Sequence, residues 1–190
     1  MAVSWLSLLE IKDLTPSLWR TCIMTATAES LPAHERGFVM RILMAGATVA
    51  LLDMLYPIVL YTSVLAHIPA IRIPQSVASG LLGQAAFEGG MATAALGLLL
   101  HLTIAIGWTS LYAMAWQRWA PLRRLTATTS GRVTAGLIYG IVVWLGMNII
   151  VVPLSRANMA PLFSLSSFLQ LIWHPIGIGL PIALIVRKGK

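Results

Sequence analysis

The chain has 190 residues, of which 58% are hydrophobic and 10% charged, and its net charge is +7. A water-soluble domain carries about 25% charged residues, so too few are present here to cover a water-facing surface. The basic residues occupy neither a helix face nor an aromatic-interleaved sheet, which argues against a nucleic-acid partner, and Cys22, the single cysteine, excludes an intrachain disulfide and a cysteine-ligated metal cluster.

Residues 1–31 mix Trp5, Leu8, Leu9, Leu14, Leu18 and Trp19 with charges. Glu10, Lys12 and Asp13 stand where a cleavable signal peptide would have its apolar core, so no such signal is expected. Thr15-Pro16 suits an N-cap and first helical position. This segment is expected to be an amphipathic arm lying on the cytoplasmic membrane surface. Residues 32–190 form the transmembrane domain.

A membrane-crossing helix needs roughly 20 mainly apolar residues. Four stretches qualify: about 42–66, holding Asp53 and Pro57; 91–116; 133–152; and 165–186, holding Pro175 and Pro181. The prolines are expected to kink their helices without breaking them, since neighbouring groups can satisfy the freed carbonyls. Between the first two spans, residues 76–87 read SVASGLLGQAAF. At 1.5 Å per residue they reach only about 18 Å, too short to cross. They are expected to form a short helix on the periplasmic side, surface-lying or re-entrant, the surface arrangement being the commoner.

Orientation follows from the loops. Lys12, Arg20, Arg36 and Arg41, then Arg118, Arg123, Arg124 and Arg132, then Arg187, Lys188 and Lys190 make 11 of the 13 basic residues, and all fall on one side. Arg72 and Arg156 fall on the other. Both termini are therefore expected in the cytoplasm. Small residues where backbones meet, Gly97 in the second span and the Gly136-Leu-Ile-Tyr-Gly140 motif in the third, point to close helix packing, within the chain or against a partner. No internal repeat stands out.

Ionisable side chains inside a membrane are costly and mark functional candidates. Asp53 lies near the middle of the first span, and His101, His174 and Asn148 lie somewhat to its periplasmic side in the other three. At 1.5 Å per residue these four fall within roughly 10 Å in depth. An intramembrane polar layer of Asp53, His101, Asn148 and His174 is the expectation. Three readings of it stand open: a structural hydrogen-bond network, a proton or ion site, or a pair of axial histidines for a b-type haem (or a quinone site). No cofactor and no metal are predicted. No HExxH, GxSxG, phosphate loop or dinucleotide fingerprint occurs, and only Asp53 of the six carboxylates lies inside a span, so nothing specifies an enzyme.

Residues 78–105 (ASGLLGQAAFEGGMATAALGLLLHLTIA), 136–155 (GLIYGIVVWLGMNIIVVPLS) and 174–188 (HPIGIGLPIALIVRK) resemble an uncharacterised family of small bacterial inner-membrane proteins. The Asp53 helix is similar as well, and the resemblance covers roughly residues 40–188, leaving the N-terminal arm outside. It implies a bacterial four-helix membrane protein and no particular chemistry, and no functional residue carries over from it.

The expected fold is thus an all-α bundle of four transmembrane helices with the N-terminal arm and the short periplasmic helix. The expected function is that of a non-enzymatic structural or accessory subunit. It would dock, within the lipid bilayer, on protein partners in a larger inner-membrane assembly, an energy-transducing complex being one candidate. The alternatives are a small transporter or channel component using the polar layer, and a haem- or quinone-binding protein.

Overall fold

The computed structural model describes residues 33–158 and 164–186. The amphipathic arm expected over residues 1–31 lies outside them. Of the described residues 86% are helical, and none is in a strand. Four helices are long and apolar enough to cross a membrane: Glu35–Leu65, Gly90–Arg118, Thr129–Val151 and Leu165–Ile185. Their outer faces carry large exposed apolar side chains, such as Leu51, Leu55, Leu99, Ile138, Ile149, Phe168 and Ile176.

Helix α1 (Ala33–Val59) begins ahead of its apolar run and continues as a π-helical segment, Leu60–Leu65. Hydropathy locates the part of a helix that suits hydrocarbon; Glu35, Arg36 and Arg41 are equally compatible with helix outside it. Pro57 has no N–H to offer the Asp53 carbonyl, and the ladder widens three residues later.

Helix α2 (Arg72–Leu82) begins four residues before the short element expected over 76–87, and a 3-10 turn, Gly83–Phe87, completes that stretch. Gly83 has φ +64°, which favours glycine and ends the α-helix. The buried side of α2, Ile73, Pro74, Gln75, Ala78 and Ser79, lies on helix α3 (Gly90–Arg118). Gly97 is the reason the two fit: a Cβ there would overlap the Pro74 carbonyl and come within 3.3 Å of the Ala78 nitrogen. Gln75, buried by the same contact, donates to the Gly90 carbonyl at 3.1 Å and to Thr93 Oγ1 at 3.2 Å.

Helix α4 (Ala120–Leu125) is a single turn linking α3 to helix α5 (Thr129–Gly146), which opens on a Thr128 N-cap and ends in a second π segment, Met147–Val151. The fourth span is helix α6 (Leu165–Trp173), a third π segment, His174–Gly179, and helix α7 (Leu180–Ile185). It runs continuously past Pro175 and Pro181, so both are accommodated within the helix.

The GxxxG of α5 is used within the chain. A Cβ on Gly136 would sit 2.9 Å from the Gly179 carbonyl oxygen, and one on Gly140 would overlap the His174 carbonyl and Pro175. Gly179 faces back onto both glycines, so two backbones meet with no side chain between them. Ala45, Val49, Tyr112, Ala113, Val143, Ile178, Ile182, Ala183 and Val186 form the apolar core. Most of it lies toward the end of the spans that carries Phe38, Arg118 and Val186.

Candidate functional site

Asp53 stands one helical turn before Pro57 on α1, with a quarter of its side chain exposed. Across from it on α3 is His101, whose Nε2 lies 3.9 Å from Asp53 Oδ2 and 3.1 Å from the Ala50 carbonyl oxygen. A carbonyl only accepts, so Nε2 carries a proton and donates it to Ala50, and in the neutral ring Nδ1 is left as the basic nitrogen. The 3.9 Å to Asp53 is ion-pair range and too long for a hydrogen bond.

His174, 7% exposed, comes from the π segment of the fourth span. Its Nδ1 donates to the Gln170 carbonyl at 2.8 Å, and no hydrogen bond or ion pair joins the ring to Asp53 or His101. Holding one nitrogen on a backbone carbonyl fixes the orientation of each ring and frees the other nitrogen, as in a metal-ligating histidine. Asp53, His101 and His174 do not converge as a three-ligand metal group, and no other such group occurs among the described residues.

Asn148 does not join it. Its amide donates to the Trp144 carbonyl of its own helix at 2.9 Å, and no hydrogen bond links it to Asp53, His101 or His174. The fourth span instead continues the polar line away from His174. Gln170 Nε2 donates to Ser166 Oγ at 3.4 Å, and the Ser166 hydroxyl is hydrogen-bonded to that of Tyr61 in the π segment of the first span. Ser166, Gln170 and His174 are spaced by four along the fourth span, as are Asp53, Pro57 and Tyr61 along the first. Tyr56 and Trp173 clamp the same helix pair, their rings stacked at 4.5 Å and 5°. Gly177 leaves the space into which the Trp173 ring folds.

A polar seam therefore runs between the first and fourth spans, from His174 through Gln170 and Ser166 to Tyr61, and the Asp53–His101 pair stands apart from it on the first and second spans. From His174 to Ser166 it covers about 12 Å of helix axis. It heads for the end that carries Leu65. Toward the other end it gives way to the apolar core, where Val49, Ile182 and Val186 are at most 1% exposed. Sequence reading missed Tyr61, Ser166 and the Tyr56–Trp173 stack. The four-residue spacing of Ser166, Gln170 and His174 was the signal available.

Comparison with protein-family models, curated proteins and solved structures finds no match. The geometry alone carries the functional argument.

Proposed function

We propose that the chain is a non-enzymatic subunit of a larger assembly in a bacterial inner membrane, a four-helix bundle with both termini in the cytoplasm. In it, Asp53, His101 and His174 form a protonatable element reached from the periplasmic half. The observation that carries this reading is the one-sidedness of the seam. Polar groups lead from the Leu65 end to about mid-depth, and the half that carries Phe38 and Val186 is closed by packed Ala, Val and Ile side chains together with buried Tyr112 and Thr109. A chain that moved ions by itself needs polar groups or water on both sides of its binding site, because a bare charge in hydrocarbon is costly. Half a path suits a subunit that senses or hands on a proton within a complex, where a neighbouring chain completes the route.

The use of Gly97, Gly136 and Gly140 inside the chain narrows the partner contact to the outer apolar faces. The second reading, a stand-alone transporter or channel component, is favoured by the Asp53–His101 pair and opposed by the sealed half.

Purified protein in liposomes with an internal pH dye separates the two. The subunit reading predicts no proton flux from the isolated chain under an imposed gradient, and flux only for the assembly recovered intact in mild detergent, lost with Asp53→Asn. Flux through the isolated wild-type chain, abolished by Asp53→Asn, overturns it in favour of the transporter.

A further inference from the structure

The α3–α4–α5 turn is strongly positive and unbalanced. Arg118, Arg123, Arg124 and Arg132 fall within 15 residues, and no Asp or Glu follows Glu88 anywhere in the sequence. The structure divides the four arginines into two kinds. Arg123 reaches back to the Gln117 carbonyl at the end of α3, and Arg132 holds the Thr128 carbonyl at 3.2 Å and Thr129 Oγ1 at 2.8 Å. These two close the turn. Arg118 and Arg124 are exposed, and their guanidinium groups make no hydrogen bond or ion pair among the described residues.

The turn is also held in a fixed pose. Leu122 packs on the apolar core, and buried Thr126 accepts from Trp116 Nε1 at 3.0 Å while donating to the Leu122 carbonyl at 2.8 Å. With that side of α4 anchored, Trp119 and Leu125 are left outward at 59% and 44% exposure. Two free guanidinium groups beside an exposed indole and leucine, at the mouth of two spanning helices, match the boundary between lipid headgroups and acyl chains.

We infer that this turn is a binding site for anionic phospholipid, with Arg118 and Arg124 pairing the headgroup phosphate and Trp119 and Leu125 seated at the top of the acyl chains. Guanidinium suits phosphate because its planar donors match two oxygens at once. The charge complementarity selects an anionic lipid over a zwitterionic one, whose own cation opposes the arginines. The inference rests on the spanning architecture and requires neither the orientation nor the partner proposed above.

The test is native mass spectrometry of the delipidated full chain in detergent, titrated with equal amounts of phosphatidylglycerol and phosphatidylcholine. The wild type should retain phosphatidylglycerol preferentially, and the preference should fall about fivefold for each arginine lost in Arg118→Gln and Arg124→Gln, and further in the double variant. Arg72→Gln, at the opposite end, should leave it unchanged. Equal retention of the two lipids by the wild type, or an unaltered preference in the double variant, overturns the inference. So does complete displacement of the lipid by inorganic phosphate, which would assign the arginines to a free anion. Circular dichroism of the variants matching the wild type confirms that a lost preference is a lost contact; matching retention with altered dichroism counts against the site equally.

Discussion

Asp53 is the one carboxylate away from the ends of the described spans, and His101 stands in ion-pair range of it at 3.9 Å. Hydrogen-bonded pairs inside membranes, a closer contact than this ion pair, couple by about 0.6 kcal/mol on average. A double-mutant cycle on unfolding in detergent, using Asp53→Asn and His101→Leu, should return a coupling above zero and up to about 0.6 kcal/mol. The same cycle with Asn148→Ala in place of the histidine change should return none, because Asn148 bonds its own helix. Equal coupling in both cycles would place Asn148 back in the layer. That residue shows where sequence reading runs short. Depth along a helix follows from residue number, but the direction a side chain faces depends on how the helix is rotated against its neighbours. Charged and imidazole groups stand out in an apolar span because they are rare there. Tyr61 and Ser166 do not, since hydroxyls and aromatic rings are common in spans and these two meet across 105 residues of chain.

At the scale of elements, the four long helices were legible because hydrocarbon demands a long apolar run, and composition alone reports it. The close packing was legible as a motif and not as a partnership. Gly136 and Gly140 announce that some backbone approaches; that it is the chain's own Gly179 is known only from the fold. The π segments were not legible at all. Two of the three lie at or just after Pro57 and Pro175, where a missing N–H leaves the ladder to rearrange, and proline alone does not specify that outcome. Gly140→Leu should force α5 off the fourth span and lower stability by 1–3 kcal/mol or more, roughly the cost of overpacking a tight contact. Gly107 is exposed and has nothing within 4 Å of its Cβ position, so Gly107→Leu should change thermal unfolding little. A tolerated Gly140→Leu would mean that the two spans are not in contact. Gly97→Leu tests the seat of α2 in the same way: it should detach the short helix and expose Gln75, seen as faster amide exchange over residues 72–82.

For the whole molecule, the bias of 11 basic residues to 2 and the four spans together predict the arrangement in the membrane. A periplasmic reporter fused after Lys190 should be silent and one inserted near Arg72 active; an active C-terminal fusion would mean an inverted arrangement if the Arg72 reporter is silent, and an odd number of crossings if it is active. The central claim is narrower, that the polar seam opens from one side and stops. Replacement of Cys22, the single cysteine, by Ser gives a background in which any introduced thiol reports alone. Single cysteines at Tyr61, Ser166, Gln170, Val49 and Ile182, treated in intact cells and in inverted vesicles with a small membrane-impermeant thiol reagent, measure the seam directly. The account predicts labelling at Tyr61 and Ser166 from the periplasmic side, weaker labelling at Gln170, and none at Val49 or Ile182 from either side. Labelling of Val49 and Ile182 from the cytoplasmic side would show a path through the whole chain and contradict the account.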